Sequence, residues 1–201
     1  MKKMLIVMCM IGLVASCAWA YPGPNSFGVY IDTESMAYPV CVDVAAFAQQ
    51  TLWCCVTNPT GYQVAGWEAR VSITSDPGAF FGDWELVSGL NVGSGDEFVV
   101  GNGLEPLQIN PQGVVPLMSI TMVVISVDNP IEIYIDGVPG SLSFPDGPGY
   151  AEEVGAAIPC VTSTGSLTTP VFIVNPVGGA GACELVSHEE SSWGAVKTLY
   201  K

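Results

Sequence analysis

The sequence predicts an all-β fold, a two-sheet antiparallel sandwich, and three observations carry that expectation. Short apolar runs recur every eight to twelve residues, separated by turn residues. Gly (23) and Pro (15) are abundant while sustained 3.6-residue periodicity is scarce, which disfavours helices. Finally, Trp67, Ala69, Val71 and Ile73 alternate with Glu68, Arg70, Ser72 and Thr74, giving one apolar and one polar face. That pattern is a half-buried strand, bounded by Asn58-Pro59-Thr60-Gly61 before it and Ser75-Asp76-Pro77-Gly78 after it.

Taken in order, the chain opens with Met1-Lys2-Lys3, an apolar run from Met4 to Ala15, and Ala18-Trp19-Ala20 before Tyr21. A basic start, a short apolar middle and an A-x-A end read as a secretory signal peptide over residues 1–20, too short to span a bilayer. A second reading takes Val14-Ala15-Ser16-Cys17 as a lipoprotein box with Cys17 as lipid anchor; the conventional site at Ala20 is preferred. The expected protein is therefore exported by a bacterium, and either secreted or held at the cell surface.

Removing the leader leaves Arg70, Lys197 and Lys201 against 19 acidic residues, a net charge of −16. Such a surface repels phosphate backbones and anionic lipid heads, which argues against nucleic acid or a membrane surface as partner. It suits a basic protein face, and it also keeps an otherwise apolar chain soluble.

After a lead-in over 21–26, Phe27, Val29 and Ile31 share one face of an expected edge strand, followed by strands over 39–46 and 51–57. Residues 79–87 read as an aromatic strand and 97–100 as the next. Asn102-Gly103 is a hairpin-type turn, and Pro106 interrupts what returns from it. Val114 to Val127 is apolar on both faces, as a central strand is. Ile131, Ile133 and Ile135 alternate with Glu132 and Tyr134 and are expected in the core. Strands over 156–161 and 170–174 close a domain spanning residues 21–180. Residues 181–201 form a linker and tail, in which Trp193, Val196 and Tyr200 fall on one side of a short helix ending in Lys197 and Lys201.

Five cysteines survive export, and an oxidising compartment favours pairing them. Alternation puts Cys41 and Cys55 on matching faces of strands expected to be adjacent. The predicted pairs are Cys41–Cys55 and Cys160–Cys183, with Cys54 a buried free thiol. No Cys-x-x-Cys or neighbouring histidine supports a metal site.

Several segments resemble cohesin-type modules of secreted bacterial proteins in order and spacing. They are residues 51–58, Gly66 to Pro77, Trp84-Glu85-Leu86-Val87, and Pro116-Leu117-Met118-Ser119-Ile120-Thr121-Met122-Val123-Val124. The resemblance covers residues 50 to 135; Ser75 stands where the family has Tyr. It implies a sandwich of cohesin-like, immunoglobulin or jelly-roll type that binds a partner module through one sheet face, in some cases with calcium supplied by the partner. No single binding residue carries over. The ending Trp193-Gly194-Ala195-Val196-Lys197-Thr198-Leu199-Tyr200-Lys201 resembles the C-termini of uncharacterised secreted bacterial proteins, which marks Trp193, Gly194, Val196, Lys197, Leu199 and Tyr200 as a sorting or attachment tail.

Catalysis finds little to work with. His188, the one histidine, lies in the polar tail beside Glu189 and Glu190. Glu68 and Glu85 are the carboxylates beside tryptophans, yet alternation sends both outward as surface charge. Asp128-Asn129, Asp136-Gly137 and Asp146-Gly147 offer oxygen ligands for a structural Ca2+, although Asp-Gly is ordinary turn chemistry and no EF-hand spacing is present. No catalytic residue, cofactor or metal is expected. If Cys54 faces the core, Trp53 faces out, where an exposed aromatic stacks on a sugar or a partner. The expected binding surface comprises Trp53, Glu68 and Arg70. The primary expectation is a non-enzymatic protein-interaction module, and a carbohydrate-binding module is the alternative.

Overall fold

A computed structural model describes residues 23–34, 41–75, 78–103, 105–153 and 155–177. The leader, Cys183, His188 and the tail from Trp193 to Tyr200 lie outside the described residues. What is described is all-β: β1 (Ser26–Tyr30), β2 (Cys41–Val42), β3 (Gln49–Thr57), β4 (Gln63–Val64), β5 (Gly66–Thr74), β6 (Ala79–Phe81), β7 (Glu85–Leu86), β8 (Leu90–Asn91), β9 (Glu97–Gly101), β10 (Leu107–Gln108), β11 (Val114–Val124), β12 (Ile131–Asp136), β13 (Gly149–Ala151), β14 (Ala157–Pro159), β15 (Val161–Thr162) and β16 (Phe172–Val174).

Two large sheets pack face to face. The first runs β15-β1-β3-β11-β6, with β7 also on β11; the second runs β14-β13-β5-β12-β16-β2 and carries β9 and β8 on the other edge of β5. A small β10-β4 pair stands apart. Between the sheets lies one apolar layer, into which β3 sends Leu52, Cys54 and Val56, β5 sends Trp67, Ala69 and Val71, and β12 sends Ile131, Ile133 and Ile135. Trp67, 1% exposed, is its centre: its ring stacks on Phe98 at 5.8 Å and meets Phe27 at 6.0 Å. Burying that much aromatic surface is what the alternation in β5 achieves.

Two glycines are positional. A Cβ on Gly66 would stand 3.0 Å from the Val100 carbonyl, so the start of β5 lets β9 come close. Gly149 sits directly under the ring of Phe144, which a side chain there would displace.

Several expectations are corrected. The sandwich is antiparallel except at two margins, where β1 pairs with β15 and β2 with β16 in parallel, because the opening and closing strands run the same way. For the same reason β1 is covered on both edges and is not an edge strand. The strand expected over 39–46 is reduced to Cys41–Val42. Residues 79–87 split into β6 and β7, both on β11, around Gly82, whose N–H bonds the Thr121 carbonyl. Asn102-Gly103 closes no hairpin, since β9 pairs with β5 and β8 while β10 pairs with β4. β11 is central as expected, but its outer face is open at its far end, where Val123 is 37% exposed. A bulge between Pro116 and Met118, at a residue that donates no N–H, turns both Leu117 and Met118 inward.

The disulfide pairings are also corrected. Cys54, Cys55 and Cys160 are free and buried, so neither Cys41–Cys55 nor Cys160–Cys183 forms. Cys41 is disulfide-bonded, with none of those three as partner. The inference failed because β2 and β3, consecutive along the chain, belong to different sheets: Cys41 lies at the margin of the second and Cys55 in the middle of the first. Cys54 is a fully buried free thiol.

Candidate binding faces

Because successive strand residues point to opposite sides, each sheet has one face in the core and one toward solvent. The residues expected to form one binding surface are divided between the two outer faces. Glu68 and Arg70 lie on β5 in the second sheet, Trp53 on β3 in the first, with the core between them.

On the second sheet, register aligns Arg70 with Asp136 of β12 on one side and Glu97 of β9 on the other. The Arg70 guanidinium donates from Nη2 to Asp136 Oδ2 at 2.7 Å, with both side chains about one-third exposed. Glu68 Oε2 accepts from the Ser141 hydroxyl at 2.5 Å, and Ser141 Oγ in turn accepts the Phe144 N–H. The Tyr134 hydroxyl donates to Glu132 Oε2 at 2.7 Å, and that bond pushes the phenol pKa up. The result is a flat platform of fixed polar side chains, mostly acidic, around one arginine. Arg70 is the only Lys or Arg among the described residues. Asp136, weighed above as a calcium ligand in a turn, is instead taken up by Arg70 and by the Gly137 N–H. Among the described residues no three His, Cys, Asp or Glu side chains converge as metal ligands would.

The first sheet presents a different surface. Register sets Glu85, Ser119, Trp53 and Tyr30 in one row across β7, β11, β3 and β1. Trp53 is half-buried, packing against a satellite cluster of Tyr30, Cys55 and Val114, and it borders a shallow depression with Asp32, Thr33 and Glu34. That rim is held in place: Asn110 Nδ2 donates to the Thr33 carbonyl at 2.7 Å, and Asp32 Oδ1 accepts the Glu34 N–H at 3.0 Å. Beneath it, burial raises the Cys55 pKa well above the ordinary thiol value, with the charges of Cys54 and Asp32 adding to the effect. A thiol so held is protonated at neutral pH and a poor nucleophile.

Glu68 and Glu85 occupy opposite outer faces and cannot flank one glycosidic bond. Sequence reasoning missed the far end of the first sheet. There Phe80 (73% exposed) pairs with Val123 across β6 and β11, and Phe47 (80% exposed) holds a left-handed φ of 64° while its N–H bonds the Val124 carbonyl. Phe81 beside Phe80 is 36% exposed, so alternation alone does not describe β6, and no sequence signal gave the conformation of Phe47. Nor did any sequence signal identify Asp136 as the partner of Arg70, because cross-strand register is not legible in one sequence.

No protein-family model and no curated protein matches the chain. Among solved structures it is similar to the sixth cohesin from scaffoldin B of Acetivibrio cellulolyticus, determined in complex with a mutant Cel5 dockerin, at 9% identity and a TM-score of 0.41 over 76% of this chain and 99% of that one. It is likewise similar to a type II cohesin domain from the cellulosome of Acetivibrio cellulolyticus, at 9% identity and a TM-score of 0.39 over 76% of this chain and 96% of that one.

Proposed function

We propose that the chain is a secreted protein-binding module that docks a partner on the outer face of β5, β9 and β12. The observation that carries this is the platform centred on Arg70 and Asp136, built on three adjacent strands whose inner faces are core. Its hydrogen bonds fix three carboxylates, a guanidinium and a phenol before any partner arrives, so little side-chain entropy is lost on association. Arginine and tyrosine are the residues that dominate interface energies, and the surrounding Glu68, Glu97 and Glu132 select a basic complement. The resemblance of residues 50–135 to cohesins supports the same class, because cohesins bind a partner module through a sheet face. The leader puts this docking outside the cell, and Trp193, Gly194, Val196, Lys197, Leu199 and Tyr200 supply sorting or attachment.

The test is affinity capture from the secreted proteins of the producing bacterium, comparing wild type with Arg70→Ala/Tyr134→Ala. The double variant keeps its melting temperature and loses captured partner by about tenfold or more, the scale of a paired interface arginine. A chain ending at residue 183, which keeps every cysteine of the exported chain, retains capture but leaves the cell-associated fraction. Equal capture by wild type and the double variant overturns the reading.

A further inference from the structure

We infer that Cys41 is joined to Cys183 of the same chain, so that one covalent bond clasps the margin of the second sheet to the root of the C-terminal tail. Five cysteines remain once residues 1–20 are removed, and three of them, Cys54, Cys55 and Cys160, are buried free thiols. Cys41 is disulfide-bonded. Cys183, which lies outside the described residues, is the cysteine of the exported chain left to pair with it. This step rests on the export reading, because the leader carries Cys9 and Cys17.

The fold brings the two partners within reach. Cys41 opens β2, the outermost strand of its sheet, and aligns in parallel with Ile173 of β16. The chain leaves β16 still fastened to β2. The Asn175 N–H bonds the Val42 carbonyl, and the Asn175 side chain accepts the Val44 N–H at 2.7 Å and donates to the Val44 carbonyl at 3.0 Å. Parallel register puts Val177 four residues (177 − 173) beyond the level of Cys41, at most about 13 Å along the strand and one strand spacing of about 5 Å across. From Val177 to Cys183 is six residues (183 − 177), a reach of up to about 20 Å. That length covers the gap and leaves chain for the reversal, which Gly178, Gly179 and Gly181 permit.

Forming the bond takes one hydrogen from each thiol. The two protons and two electrons pass, by thiol–disulfide exchange, to a disulfide-donor protein of the exported compartment, whose own disulfide is reduced to two thiols. Cys54, Cys55 and Cys160 are spared because burial keeps them protonated and shielded from exchange. β2 holds to β16 by a two-residue pairing, so the clasp reinforces a short contact. It encloses nearly the whole domain in one loop, the case in which a cross-link restricts the unfolded chain most. It also passes a pull on the tail directly into β2.

The test exports the full chain from a bacterial host, blocks its free thiols with N-ethylmaleimide in urea at mildly acidic pH, where exchange is slow, and digests it unreduced with chymotrypsin. Cleavage after Phe47 parts Cys41 from Cys54 and Cys55, and cleavage after Phe172 parts Cys183 from Cys160. The expected result is a monomer with maleimide on Cys54, Cys55 and Cys160, and one cross-linked species joining the Cys41 and Cys183 peptides that separates on reduction. Unfolded Cys183→Ser is expected to gain one label, on Cys41. The intact mass reports leader removal separately, so a retained leader counts against the export reading while the peptide map still decides the clasp. Maleimide on Cys41 or Cys183 of the wild type, Cys41 linked to Cys9, Cys17 or any other cysteine, or a linkage between two chains would each overturn the assignment.

Discussion

β3 and β5 are both nine-residue central strands, and they differ in what lies over their outer sides. β5 alternates almost without exception, its outer side chains Glu68, Arg70 and Ser72 half-exposed and its inner ones buried. In β3 the last four residues, Cys54 to Thr57, are all buried, because Tyr30 and Val114 of the neighbouring strands pack with Cys55 on the outer side and the Tyr30 hydroxyl reaches Thr57 Oγ1 at 3.4 Å. The contrast teaches that a period of two identifies a strand's faces but says nothing of the side chains of other strands that cover one. Where solvent meets the outer face, polarity in the sequence tracks it; where neighbouring side chains do, small neutral groups such as the Cys55 thiol and the Thr57 hydroxyl take the same positions.

The largest effect should come from the shared core. Trp67→Ala removes the ring that packs on Phe27 and Phe98, and the expected loss is about 3–5 kcal/mol in urea unfolding. A loss under about 1 kcal/mol would show that β5 is not anchored by its inner face.

An intermediate effect comes from the three buried thiols, two of them on β3. Burial raises the pKa of Cys54, Cys55 and Cys160, the last to about 12, above the ordinary thiol value of 9.0. The unfolded chain therefore releases these protons first, near pH 9, while the folded chain keeps them. Stability contributed by the neutral thiols is complete below pH 9 and falls as pH rises toward about 12. Denaturation midpoints measured from pH 8 to pH 11 should decline, and a Cys54→Ala/Cys55→Ala/Cys160→Ala chain should decline less steeply. Identical slopes would remove the thiols from the account.

The smallest effect belongs to the open face of β5. Arg70 and Asp136 are 36% and 37% exposed, so their pairing is screened by water and a double-mutant cycle should return less than about 1 kcal/mol of coupling. A larger value would mean that the platform is part of the stability of the sheet rather than a surface free for a partner.

This contrast also shows what one sequence discloses. The fold class, the core role of Trp67 and of the three isoleucines at 131, 133 and 135, and the outward direction of Glu68 and Arg70 followed from periodicity and turn residues alone. Assembly did not. Trp53 was listed with Glu68 and Arg70 as binding surface because each points outward, and Cys55 was matched with Cys41 because their strands are consecutive, but β2 and β5 belong to one sheet and β3 to the other. Asp136 emerges only from the register of β12 on β5, which no local pattern encodes.

The parallel margins bear on how the molecule is made. β1 is completed by β15, and β2 by β16, so each early strand waits for one that follows more than 120 residues later. A chain that emerges from its N-terminus holds both early strands without these partners until the last of the domain is available. Closure of the sandwich is thus deferred to the end of synthesis, and its rate is set by long-range search rather than by local turns.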